Sequence, residues 1–141
     1  MSEEIFLNVY DYNSLNKITN FLGLGFFHLG IEIYGTEYSF NKDGIFSLNP
    51  KNNTDFLYRE TIYLGKTTQS YYDFFNNLTK LKIDFNNQNY DLLNRNSIHF
   101  CSVLANNLDV SIPDRFSRIN NLIPNFIKNN NQSNLEVSKI E

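Results

Sequence analysis

Apolar positions along the chain recur with two periods, and the change from one to the other outlines the elements. Ile5 to Tyr10 has strand character. Leu15, Ile18 and Leu22 instead share one helical face, behind Asn13 or Ser14 as cap and ahead of Gly23 as stop. Phe26 to Tyr34 and Glu37 to Phe40 read as two strands joined tightly at Gly35, and Phe56 to Leu64 as a further strand. Beyond Gly65, Ser70 can cap a helix with Phe74, Phe75, Leu78 and Leu81 inward. Tyr90 to Leu93 reads as a short strand. Ser97 then opens a helix striped by Phe100, Cys101, Leu104, Ala105 and Leu108, and a last helix runs from Arg115 to Leu122, stopped by Pro124. The pattern predicts an α+β fold, with helices packed on a small, mainly antiparallel sheet or barrel.

A chain of 141 residues fits one domain with a real core. With 13 Phe, 9 Tyr and no Trp, that core should be aromatic-rich. Asparagine clusters at 49–53, 86–89 and 129–134 read as loops and an end, since Asn satisfies its own backbone and tolerates left-handed conformations. From Lys128 the chain is polar and low in complexity, so the expected organisation is a domain over 1–127 and a disordered Asn-rich tail over 128–141.

Charge and cysteine content narrow the function. The net charge is −3 and the 12 Lys and Arg are scattered singly, so no basic stripe exists for nucleic acid. No segment approaches the roughly 20 apolar residues of a membrane span. The single cysteine, Cys101, cannot form an internal disulfide, which fits a reducing compartment; the expected location is the cytoplasm, with the nucleus as a second one. Two histidines and one cysteine cannot make a structural zinc site, and no Gly-rich phosphate loop is present, so neither metal nor cofactor is expected.

Two distant segments carry candidate chemistry. The first, Gly25-Phe26-Phe27-His28-Leu29-Gly30 followed by Gly35-Thr36-Glu37-Tyr38-Ser39-Phe40, puts one histidine on a hairpin. The second, Tyr90-Asp91-Leu92-Leu93-Asn94-Arg95-Asn96-Ser97-Ile98-His99-Phe100-Cys101, runs into a helix start. Unpaired amides and the helix dipole stabilise an anion there, which lowers a thiol's pKa from about 8.5 toward neutrality and can hold an oxyanion. A histidine on an adjacent strand can then serve as base and as acid to the leaving amine.

These segments resemble the PPPDE, or DeSI, family of permuted papain-fold thiol peptidases, which remove SUMO or ubiquitin from proteins and include members with thioester activity. The match runs through His28, Gly30, Ile31, Ile33, Gly35, Glu37, Tyr38 and Phe40, then through Tyr90, Leu92, Leu93, Asn96 and Phe100, and covers about residues 4 to 123. The resemblance implies a permuted papain-like fold with His28 as base and position 97 as nucleophile. It also implies Asn96 as an oxyanion donor or cap, Glu37 and Tyr38 as groove candidates, and conjugates of ubiquitin or a SUMO-like modifier as partners. Self-association as a homodimer stays open. The modifier's Gly-Gly type tail is expected to thread a narrow groove between the hairpin and the helix.

Three departures stand out: Ser97 where the family has cysteine, Ile98 where asparagine usually follows, and Asn41 where glycine is common. A hydroxyl is far less acidic than a thiol, and a histidine without a third orienting group activates it poorly. The expectation is a cysteine-type isopeptidase left inactive or weak by a Cys→Ser replacement at position 97. The alternatives are a natural pseudoenzyme that binds a modifier without cutting it, and an S-acyl protein thioesterase. Read alone, Ser97 is also a good helix cap and His28 a candidate core histidine. His99, roughly opposite Ser97 on the wheel, reads as structural or rim. Cys101, on the apolar face, reads as a buried small hydrophobe rather than a nucleophile.

Overall fold

The computed structural model describes residues 1–12, 27–92 and 94–116. The helix expected from Asn13, most of the helix expected over Arg115 to Leu122, and the Asn-rich tail lie outside the described residues. Five strands, β1 (Glu3–Asp11), β2 (Phe27–Ile33), β3 (Thr36–Asn41), β4 (Gly44–Leu48) and β5 (Leu57–Thr67), form one antiparallel sheet in the order β4-β3-β2-β1-β5. Two helices follow, α1 (Tyr71–Leu81) and α2 (Ser97–Asn107). The sheet is open, with β4 and β5 as its edges. None of the described helices is long and apolar enough to cross a membrane.

The hairpin joining β2 to β3 turns through Tyr34 and Gly35, both with positive φ (53° and 72°), as a two-residue mirror-image turn requires. Strand β4 was not anticipated: Gly44-Ile-Phe-Ser-Leu is short, and a turn closed by the Asp43 N–H on Asn41 Oδ1 (2.8 Å) returns the chain beside β3. Strand β5 outruns its expected end at Leu64. A register shift at Ile5/Phe6, with Gly65 at φ 144°, carries pairing on to Glu3↔Thr67.

Alternation along the strands separates two faces. Ile5, Leu7, Val9, Leu29, Ile31, Tyr38 and Phe40 are buried in one cluster with Phe74 and Leu78 of α1 and with Phe100, Cys101 and Leu104 of α2. On α1, Ser70 Oγ accepts from the Asp73 N–H (3.1 Å) as the expected cap. Phe74, Leu78 and Leu81 face inward, but Phe75 is 46% exposed, because it lies about 100° around the helix from Phe74. Of the expected strand over Tyr90 to Leu93, Leu93 lies outside the described residues, and the described part makes no strand: Asp91 instead exchanges main-chain hydrogen bonds with Arg95 (3.0 and 2.9 Å).

The other face of the sheet carries a polar layer. Asn8, Tyr10, His28, Glu37 and Ser39 are there, all essentially without solvent exposure. Glu37 is its centre: its carboxylate accepts from Asn8 Nδ2 (2.6 Å), the Tyr10 hydroxyl (2.9 Å) and the Lys51 N–H (3.0 Å). Its side chain lies over Gly30, where an added Cβ would come within 2.6 Å of Oε2, so only glycine leaves room. Through the Lys51 contact Glu37 also anchors the loop between β4 and β5 against the sheet. That loop brings Asn53 and Phe56 to His28.

Candidate active site

The start of α2 is built by Asn96, not Ser97. Asn96 is the N-cap: its side-chain oxygen accepts from the N–H of Ile98 (2.9 Å) and of His99 (3.3 Å), and its amide nitrogen donates to Leu92 O (2.9 Å). His99 Nδ1 accepts from the Asn96 N–H (3.1 Å), completing a reciprocal cap. Asn96 therefore caps the helix, one of the two roles expected for it, and His99 takes part in the same cap. Ser97 becomes the first helical residue. The helix amides that follow it are satisfied by Asn96, whereas the Ser97 N–H has no hydrogen-bond partner among the described residues. This is the amide a helix start offers to an oxyanion.

Ser97 meets the histidine strand where β2 and β3 part. Their ladder runs through Ile31↔Tyr38, Glu32↔Glu37 and Ile33↔Thr36 and does not reach Leu29. Two hydroxyls satisfy the main chain of Leu29 instead: its N–H donates to Ser97 Oγ (3.1 Å), and its carbonyl accepts from Ser39 Oγ (2.5 Å). A donor aimed at the Ser97 Oγ position is what an anionic sulfur there would need. Ser97 and His28 are 2% and 1% exposed, so both are buried at this seam between hairpin and helix. Side chain and main chain are in hydrogen-bond contact there.

His28 precedes Leu29, and its ring lies in the polar layer, stacked on Phe56 (centroids 4.2 Å apart, 12° between planes) and edged by Tyr10 (5.7 Å). Its Nε2 is within hydrogen-bond distance of Ser39 Oγ (3.2 Å) and Asn53 Nδ2 (3.3 Å). Burial lowers its pKa from 6.5 to about 3, so the enclosed ring is neutral and a weaker base than a solvated imidazole. Nδ1 makes no hydrogen bond to the described residues, and none joins His28 directly to Ser97. The two residues are linked through Leu29.

Of the groove candidates, Glu37 is enclosed in the polar layer. Burial is the main cause raising its pKa, against the lowering effect of its hydrogen bonds. Tyr38 is on the opposite face, 5% exposed and packed on Phe74 (5.1 Å). Neither lines an open groove. Cys101 is fully buried one turn into α2, and burial, then the Glu37 charge, pushes its thiol well up. Ser39 and Asn53, both on His28, were not singled out in the sequence. Ser39 occupies a variable position of the hairpin motif, and Asn53 ends an asparagine run that reads as a loop. A cleft of about 470 Å³ flanks the first turn of α2, lined by Asp84, Phe85, Asn94, Arg95, His99 and Val103.

The chain is 36% identical over 126 residues to the desumoylating isopeptidase 1 homolog of Caenorhabditis elegans, covering 82% of this chain and 38% of that protein. It is 33% identical over 101 residues to the DeSI-like protein At4g17486 of Arabidopsis thaliana (68% and 45%). To the DeSI-like protein sdu1 of Schizosaccharomyces pombe it is 32% identical over 130 residues (84% and 65%). The chain thus spans less than two thirds of the length of each of these relatives. The sequence profile of the PPPDE peptidase domain matches residues 3–137. A match of this domain over nearly the whole chain, together with identities of 32–36% to DeSI relatives, means that the chain belongs to the PPPDE peptidase family.

Proposed function

We propose that this fold is an isopeptidase scaffold for SUMO- or ubiquitin-type conjugates, with position 97 as nucleophile and His28 as base, and that Ser97 holds it inactive or nearly so. The observation that supports this reading is the Leu29 N–H on Ser97 Oγ, which sets the residue at the helix start against the strand carrying the imidazole. The name of the C. elegans relative, a desumoylating isopeptidase homolog, points to the substrate class.

With a thiol at position 97, and with the seam opened so that the His28 ring is hydrated and regains its ordinary basicity, His28 takes the thiol proton and sulfur attacks the isopeptide carbonyl. The Ser97 N–H position receives the oxyanion, the C–N bond breaks, and His28 returns the proton to the departing lysine amine. Water then hydrolyses the thioester. The Leu29 N–H and the helix start both favour the thiolate. A serine hydroxyl gains too little from them. In either case the seam between β2 and α2 must open to admit a modifier tail, since both residues are buried. The proposed setting is the cytoplasm, as the reducing environment a thiol enzyme needs.

The test is release of a C-terminal fluorophore from SUMO and from ubiquitin by Ser97→Cys, with the unaltered chain alongside. Turnover by Ser97→Cys alone is the expected result; inertness on both modifiers and on a thioester substrate would sink the reading. Serine at the nucleophile position favours one alternative, a pseudoenzyme that binds without cutting. Saturable modifier binding by the unaltered chain, together with an inert Ser97→Cys form, selects it.

A further inference from the structure

We propose that Ser39 is a positioning residue that holds the hydrogen of His28 on Nε2, leaving Nδ1 bare as the base. The claim that Nδ1 acts as base rests on the function proposed above; the claim about the tautomer stands on geometry alone. Ser39 Oγ has one hydrogen, and the Leu29 carbonyl takes it at 2.5 Å. That carbonyl lies where the β2–β3 ladder has stopped, so the hydroxyl is its replacement partner and cannot readily turn away. Toward His28 Nε2, 3.2 Å away, Ser39 can therefore only accept, and Nε2 must donate.

Asn53 pulls the other way. Its Oδ1 accepts from the Asp55 N–H (3.2 Å), which orients the amide so that Nδ2 faces His28 Nε2 at 3.3 Å. An amide nitrogen only donates, and so favours a bare Nε2. Two neighbours with opposite demands thus share one ring nitrogen, and the committed hydroxyl on Ser39 decides between them. The hydrogen bonds then run from His28 Nε2–H to Ser39, from Ser39 to the Leu29 carbonyl, and from the Leu29 N–H to Ser97. One peptide unit on either side of Leu29 ties the tautomer of the base to the position of the nucleophile.

Long-range proton–nitrogen correlation spectra of the ¹⁵N-labelled chain near neutral pH read the tautomer directly, and with two histidines the assignment is settled by a His99→Gln variant. The expected result is a protonated Nε2 and a bare Nδ1 on His28. Ser39→Ala should hand Nε2 to Asn53 and move the hydrogen to Nδ1, whereas Ser39→Thr and Asn53→Ala should keep it on Nε2. A hydrogen on Nδ1 in the unaltered chain overturns the proposal, as does an unchanged tautomer in a folded Ser39→Ala; if that variant does not fold, the unaltered chain and Asn53→Ala still decide it. In a Ser97→Cys background that turns over, Ser39→Ala should lower kcat by roughly tenfold or more with KM unchanged, and Ser39→Thr should restore it. An inert Ser97→Cys form with the expected tautomer would count against the proposed function and leave the role of Ser39 in place.

Discussion

The Leu29 N–H donates to Ser97 Oγ across 68 residues of sequence, at 3.1 Å, and this bond joins the helix start to the histidine strand. It forms where the β2–β3 ladder ends, so the gap left by the sheet is what admits α2. Both ends are buried. The site is consequently defined by main-chain geometry rather than by a side-chain pair.

Asn96 carries the helix start. Asn96→Ala removes the acceptor for two amides and the donor to Leu92 O, and should cost about 1 kcal/mol in urea unfolding. Asn96→Asp, which keeps the acceptor, should lose less. Equal losses would show that the cap is not what holds this turn.

Gly30 is required by Glu37 rather than by its own backbone. Gly30→Ala sets a Cβ 2.6–2.7 Å from the Glu37 carboxylate, which Asn8, Tyr10 and Lys51 hold in place. A loss of about 1–3 kcal/mol follows from such overpacking. In the Glu37→Ala background the same change should cost much less, and a double-mutant cycle measures the difference.

His28 should impose an acid-side loss of stability. The folded chain binds its proton only near pH 3, the unfolded chain near 6.5, so the unfolded state holds more protons between these values. The contribution is fully present above about pH 6.5 and is lost as the pH falls toward 3, with a slope approaching ~1.4 kcal/mol per pH unit. Comparing unfolding of the unaltered chain with His28→Gln across this range isolates the effect, and the His28 ring signals should not titrate near 6.5. A midpoint there would show that the ring is hydrated.

Much of this was legible in the sequence, and the misses have physical causes. The alternation around Ile5 to Tyr10 and the Gly35 turn fixed the sheet centre, and the stripe from Phe100 to Leu108 fixed the buried face of α2. The motif around Asn96 and Ser97 located the helix start, although the cap is the earlier residue, since a side chain reaches amides two and three positions ahead. Glu37 and Tyr38 could not both line one groove: consecutive strand residues face opposite sides, and they do. Ser39 and Asn53 reach His28 over separations of 11 and 25 residues. Those contacts depend on a loop that Glu37 holds through the Lys51 main chain, and no local pattern encodes that.

The central claim is that position 97 and His28 work as nucleophile and base. The most direct measurement is the alkylation rate of Ser97→Cys against pH, with the unaltered chain reporting buried Cys101 and Ser97→Cys/His28→Ala as the comparison. The account predicts labelling at position 97 well above the Cys101 background, with an apparent pKa below the ordinary ~8.5 that rises when His28 is removed. Labelling no faster than background, or a pKa indifferent to His28, would contradict it.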